Sequence, residues 1–302
     1  MFRHSKALFY CATERILVMK LIKDILKGVL IGISNIIPGV SGGTMAVSMG
    51  IYDTLISALT NLFKDFKNSV KTLFPYLIGM LLGIGGLSFV IGYLFSHYPL
   101  PTSLLFIGLI LGGLPSIANR LKGNKISVPN VILFLIFFAS IILLQYFSKE
   151  NVRNLSTNFE IGQTLMLLLI GIITSATMVI PGVSGSLVLM LIGYYQPVID
   201  TIRSFIHGAL KFESSAIVGG LVILIPFGIG VVVGMFAIAK LIEFLLSKFE
   251  VLTYSSILGL VVASPIVVLM RLSSPTINLG IILASILCFA AGFVISLKLG
   301  NE

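Results

Sequence analysis

Two seven-residue stretches carry the residue types and spacing that point most directly to chemistry in this 302-residue chain: IPGVSGG at 37–43 and, 143 positions later, IPGVSGS at 180–186. Six of their seven positions agree. A proline among three or four glycines and serines ends an α-helix, because proline has no N–H to donate and glycine loses the most backbone entropy on ordering. A new helix starting just after each break, near Thr44 and near Leu187, aims its unpaired N–H groups and the positive end of its dipole back at the break. Two such tips meeting would bind an anion without a basic side chain. The hydroxyls of Ser41, Thr44, Ser184 and Ser186 add donors, and glycine leaves room for phosphate oxygens against the backbone. The expected substrate-binding set is therefore Pro38, Gly39, Ser41, Gly42, Gly43 and Thr44 with Pro181, Gly182, Ser184, Gly185 and Ser186.

Bond-breaking chemistry is not indicated. A serine without a base beside it is a poor nucleophile, and the eleven acidic residues and His4, His97 and His207 fall at the ends of apolar runs or in the loops between them. No residue is assigned a catalytic role. Asp53 and Asp200 are the carboxylates nearest the glycine-rich segments; each is a candidate for a coupling proton if desolvation raises its pKa, and each would equally serve as a cap or face headgroup water. Cys11 and Cys288 are too few and too far apart to suggest a metal site, so neither metal nor cofactor is expected.

The elements that must hold these tips are helices in lipid. Apolar residues make up 57% of the chain and charged residues 10%, against about a quarter charged in a soluble domain. Runs at 72–96, 103–118, 131–147, 216–239, 251–270 and 277–297 are long enough, or nearly so, to cross a core that takes about 20 helical residues. From Lys27 to Pro38, and from Gly43 to Asp53, is about ten residues or about 15 Å of helix. The first glycine-rich segment thus reads as a re-entrant hairpin with its tip near the midplane; the incoming arm of the second, from Glu160, is up to twice as long. Irregular backbone at that depth requires protein or a polar cavity around it. Three apolar spans follow each segment, so the copies enter from opposite faces whether their arms re-enter or fully span. Similarity extends from Gly50, Tyr52 and Ile56 to Gly193, Tyr195 and Ile199, with approximate counterparts of Gly83, Gly85 and Gly108 in Gly228, Gly230 and Gly259.

The expected fold is therefore an all-α integral membrane protein of two inverted-topology repeats, each a glycine-rich re-entrant helical hairpin plus three transmembrane helices. Residues 1–28 form an N-terminal cytoplasmic or interfacial segment, 29–150 the first repeat and 151–302 the second, in one integrated membrane domain. Fifteen Lys and Arg fall on the side of the termini and five (Lys149, Arg153, Arg203, Lys211 and Arg271) on the other. By the positive-inside rule both termini are cytoplasmic; the segment from Lys240 to Lys248, diluted by Glu243 and Glu250, is the weakest part of that assignment. The net charge of +9 is scattered over loops instead of gathered in one patch, so nucleic acid is not an expected partner. Residues 16–27 read as an interfacial helix and 54–71 as a second surface segment. No cleavable signal peptide is evident, and Met19 offers an alternative start that would make residues 1–18 dispensable.

The segments SNIIPGVSGGTMAVSMGIYDTLI and MVIPGVSGSLVLMLIGYYQPVI resemble those of the PopT-type polyprenyl phosphate transporters, and the resemblance covers nearly the whole chain from Lys20. It implies a multi-pass lipid translocase of the bacterial plasma membrane that returns undecaprenyl phosphate to the cytoplasmic leaflet for cell-wall polymer synthesis, with the paired segments at its centre. The partners it implies are the polyprenyl phosphate and the surrounding membrane lipids. An enzymatic alternative is a membrane-embedded polyprenyl pyrophosphate phosphatase, whose family carries an arginine after the serine of a similar pattern; here Gly42 follows Ser41 and Gly185 follows Ser184. An ion or small-anion channel or transporter is a third reading that the sequence leaves open.

Overall fold

The computed structural model describes residues 2–36, 40–147, 155–272 and 278–300. Every element among them is a helix. The first half runs α1 (Phe2–Ile36), α2 (Gly42–Ser48), α3 (Tyr52–Thr60), α4 (Phe66–His97), α5 (Pro99–Gly112), α6 (Leu114–Leu121) and α7 (Val128–Tyr146). The second runs α8 (Ile161–Val179), α9 (Gly185–Ile192), α10 (Tyr195–Lys211), α11 (Ser214–Lys248), α12 (Glu250–Met270) and α13 (Leu279–Gly300). Among the described residues seven helices are long and apolar enough to cross a membrane. They include α8, the long incoming arm of the second glycine-rich segment, whose 19 residues span about 28 Å.

Local chemistry sets several boundaries. Proline stands in the first turn of α5, α6 and α7, where its missing N–H has no helical acceptor to lose. Asp65 caps α4 by accepting from the Asn68 amide at 3.4 Å. Ser127 and Asn130 bond reciprocally at the start of α7, and Asn130 Nδ2 also donates to Ser255 Oγ of α12 at 3.2 Å. One expectation is corrected: the interfacial segment 16–27 is not a separate element but continues unbroken as α1 to Ile36, because its sequence holds no Pro before Pro38. The expected surface segment 54–71 comprises most of α3, a turn and the start of α4.

In hydrocarbon, helices gain little from burying apolar surface against one another, so tight packing of small residues holds them together. Four pairs carry most of the contact: α1 with α4, α8 with α11, α5 with α13, and α7 with α12. A Cβ on Gly28 or Gly79 would overlap the backbone across the α1–α4 interface, and one on Gly171 or Gly230 would do the same across α8–α11. Gly108 lies against the Phe289 carbonyl of α13, and Gly259 against the Phe134 carbonyl of α7. Gly83 lies against the Val29 carbonyl and Gly234 against the Ile172 carbonyl, while Gly85 and Gly228 face open space. Pro75 and Pro226 stand inside α4 and α11, eight residues before Gly83 and Gly234. The core gathers around α2, every residue of which is buried. Large apolar side chains on α4, α7, α8, α11 and α13 face outward, as lipid requires.

Gly79→Val should destabilise the protein by about 1–3 kcal/mol or more, because the Ile25 carbonyl and the Gly28 Cα occupy the space. Gly86→Ala, with nothing within 4 Å, should be neutral or stabilising by up to about 1 kcal/mol. Thermal unfolding in detergent compares the two.

Candidate functional site

The two glycine-rich segments meet. Thr44 Oγ1, in the first turn of α2, accepts from the Gly182 amide at 2.7 Å, and Tyr52 OH donates to the Val179 carbonyl at 3.3 Å. A Cβ on Gly43 would stand 3.0 Å from that same carbonyl and 3.3 Å from Pro181 Cα, so backbone approaches backbone there. Gly182 holds φ at +83°, with Leu260 Cβ 2.8 Å from where its own Cβ would be. Only glycine takes that conformation at low cost. Of the expected set, Gly43 and Thr44 thus meet Pro181 and Gly182, with Ser41 and Gly42 just before them at the start of α2 and Ser184, Gly185 and Ser186 running on into α9. Pro38 and Gly39 lie outside the described residues.

The two tips are not equally open. Ser41 to Thr44 are buried, whereas Gly182, Ser184 and Ser186 are half-buried. Ser41 is the N-cap residue of α2, yet its buried Oγ has no hydrogen-bond partner among the described residues, which costs about 1–3 kcal/mol. The Gly42 amide is taken by Asn35 Oδ1 at 3.3 Å. Ser184 Oγ and Ser186 Oγ are 2.7 Å apart at the start of α9, where the first N–H groups have no acceptor within the helix. A side chain at Gly42 would press on the Asn35 amide, and one at Gly185 on Met178 and the Thr174 carbonyl.

A second constellation lies where α3, α6 and α12 converge. Tyr254 OH donates to Asp53 Oδ2 at 2.5 Å, Arg120 Nη2 stands 2.9 Å from the same oxygen, and the guanidinium sits 5.9 Å from the Tyr254 ring centroid. Asp53 Oδ1 is buried and unpartnered, beside a cavity of about 20 Å³ bordered by Gly50, Tyr52 and Ser116. Two larger cavities, of about 400 and 560 Å³, open beside the same carboxylate. One is bordered by Glu243 and Glu250, the other by Ser57, Asn61, Asp65 and Asn68. Asp53, expected as a coupling candidate, is therefore held by an arginine and a tyrosine. Sequence reading counted Arg120 only as an orienting charge and Tyr254 only as part of an apolar run. A tyrosine inside a strongly apolar span was the available signal, but its partner 201 positions away was not readable.

Asp200, the other coupling candidate, is exposed on α10, accepting from Gln196 Nε2 at 3.0 and 3.1 Å with Arg203 Nη1 at 3.5 Å. Lys27 is buried, and its Nζ donates to the Met49 carbonyl at 3.4 Å, at the end of α2. At the far end of α7, Arg271 Nε bonds Gln145 Oε1 at 3.0 Å, and burial lowers the Arg271 pKa from its ordinary value. Among the described residues no three His, Cys, Asp or Glu are grouped to hold a metal ion.

Residues 31–278 match the family model described as VCA0040-like, undecaprenyl phosphate translocase-like. The chain is 32% identical over 281 residues to a polyprenyl-phosphate transporter of Staphylococcus aureus (strain NCTC 8325 / PS 47), covering 92% of this chain and 95% of that one. It is 28% identical over 261 residues to a polyprenyl-phosphate transporter of Vibrio cholerae serotype O1 (strain ATCC 39315 / El Tor Inaba N16961), covering 82% and 77%. No solved structure matches it significantly.

A double-mutant cycle of Asp53→Ala and Tyr254→Phe, followed by thermal unfolding in detergent, should give a coupling of about 1.5–3 kcal/mol for a hydrogen bond to a charged acceptor. The cycle of Asp53→Ala with Arg120→Ala should give less, about 0.2–1 kcal/mol, because both partners are partly solvated.

Proposed function

This chain belongs to the undecaprenyl phosphate translocase-like family, and from that premise we propose that it carries polyprenyl phosphate across a bacterial plasma membrane by holding the phosphate at the two joined glycine-rich tips. The observation that carries the reading is the hydrogen bond from the Gly182 amide to Thr44, which makes one site of two segments 138 positions apart. The phosphate is held by the N–H groups opening α9 and by Ser41, Ser184 and Ser186, while the prenyl chain stays in lipid. Pro38, Gly39, Gly42, Gly43, Pro181 and Gly185 shape the backbone of the site.

The halves, 29–150 and 151–302, are inverted repeats in one membrane unit, with residues 1–28 as the N-terminal segment. The support is the matching set of contacts: α1–α4 recurs as α8–α11, and α5–α13 as α12–α7. Each half crosses an odd number of times when the bent pair α9–α10 completes the passage that α8 begins. The contact of Asp53 with Arg120 and Tyr254 argues that the end of α6 and the junction of α11 with α12 share a face, which strengthens the weakest part of the charge assignment. That face is cytoplasmic, with both termini, and the Gln145–Arg271 contact belongs to the outer one. Movement of one repeat against the other opens the tips to each face in turn.

A phosphatase reading is disfavoured. Ser41 and Ser184 have no arginine after them, and Asp53, the carboxylate nearest Ser41 in sequence, is occupied by Arg120 and Tyr254.

In liposomes with undecaprenyl phosphate in one leaflet, the protein should equilibrate the lipid without releasing inorganic phosphate. Gly182→Ala should slow this at least about tenfold, since αL backbone costs an L-residue about 1–2 kcal/mol and Leu260 adds a clash. Ser41→Ala and Ser184→Ala should each slow it less, and together much more. Normal rates in a folded Ser41→Ala/Ser184→Ala/Ser186→Ala variant would move the phosphate site elsewhere. Release of phosphate would make the chain an enzyme, and ion flux without lipid movement would make it a channel.

With native cysteines removed, a cysteine at Asn158 should react with an impermeant reagent on intact cells, and one at Asn119 only after the cells are opened. Equal reaction of both on intact cells contradicts inversion.

A further inference from the structure

We infer that the polar face of α10 is a hydrated track that receives the phosphate headgroup of the lipid on the face opposite Asp53, an inference that rests on the transport reading above. α10 runs antiparallel along the first half of α11: Tyr194 and Tyr195 cluster with Phe227, Phe205 packs on Gly220, and Gly208 on Ala216. That part of α11 belongs to the run 216–239, which has no charged residue. A core crossed by about 20 helical residues takes in 220–239 of α11, so the part of α10 from Tyr195 to Phe205 stands at hydrocarbon depth and His207 and Lys211 at its edge. At about 100° per residue, Val198, Phe205 and Gly208 form the face on α11. Ile202, Ile206 and Leu210 form an exposed apolar face beside it, and Gln196, Asp200, Arg203, His207 and Lys211 form an exposed polar one.

Charge turned toward acyl chains is costly and in membrane proteins faces water or a cavity. The polar face is already laddered along its own helix, Gln196 to Asp200 to Arg203, and its two cations, Arg203 and Lys211, outnumber its one carboxylate. The residues 143 positions earlier, Asp53, Ser57, Thr60, Lys64 and Asn68, hold one carboxylate and one cation, and Asp53 is already paired with Arg120; Asp53, Ser57 and Asn68 border the open groove of about 560 Å³. The α10 face, with two cations to one carboxylate, has the sign to draw in an anion. Its apolar neighbours Ile202, Ile206 and Leu210 leave the prenyl chain in lipid while the headgroup descends toward Ser184 and Ser186.

The test uses the full-length chain with Cys11 and Cys288 replaced by serine, in phosphatidylcholine liposomes, carrying single cysteines at Gln196, Ile202, Ile206 or His207. An impermeant maleimide should modify 196 and 207 at least about tenfold faster than 202 and 206. Undecaprenyl phosphate in the bilayer should slow the reaction at 207 several-fold, phosphatidylglycerol at the same mole fraction should not, and Arg203→Gln with Lys211→Gln should remove the protection. Equal rates on both faces, no protection, or equal protection by phosphatidylglycerol each overturns the assignment. Leaflet transport by the wild-type chain is measured in parallel. Transport without the labelling pattern refutes the track and leaves the transport reading standing, whereas labelling and protection without transport refutes that reading and leaves the track.

Discussion

A backbone that stops being helical inside a bilayer must find partners for its N–H and C=O groups within the protein, and the rest of this architecture follows from that constraint. The residues of α2 are buried on all sides because the break before them cannot be exposed to lipid. The closing groups come from far away in sequence: Gly182 donates to Thr44, Tyr52 donates to Val179, and Lys27 donates to Met49 at the other end of α2. The first half therefore completes the interrupted backbone of the second, while Lys27 and Asn35 satisfy backbone groups at the two ends of α2 from within the first half.

The same constraint decides how the halves are held. Helices in lipid associate through close packing, and here the packing places glycine on one helix against backbone on its neighbour. α1–α4 and α8–α11 are built within a half, while α5–α13 and α7–α12 are built between halves. The first kind keeps each hairpin attached to a rigid neighbour. The second kind, together with the Asp53, Arg120 and Tyr254 contact, is what must slide or part if the tips are to face one side and then the other. The Asp53–Arg120 ion pair lies within the first half, and it is the Tyr254 hydroxyl donating to Asp53 that joins the halves there, a contact that can be exchanged without unfolding either half.

The all-helical class and the break points at both glycine-rich segments were legible because hydropathy and Pro/Gly chemistry act over short stretches. The matching contacts of Gly83 with Val29 and of Gly234 with Ile172 were not legible, because packing between helices sets them. The continuity of α1 was missed because charges at 20–27 suggested a surface element, whereas nothing in that stretch interrupts a helix. Asp53 was singled out for its position alone. Its partners Arg120 and Tyr254 come from α6 and α12, and contacts across such separations leave no local pattern.

In the proposed transport, what the charge at a mouth can do is bounded. Asp53 and Asp65 line the groove beside α3, with Arg120 paired to Asp53, and Glu243 and Glu250 border the neighbouring cavity; the face of α10 carries Asp200, Arg203 and Lys211. A passive carrier cannot alter the equilibrium ratio of a lipid between leaflets, since any affinity gained at one mouth is a cost on leaving it. Local charge would instead set the lipid concentration at which each mouth fills, and net return of the lipid would follow from its removal on the receiving side.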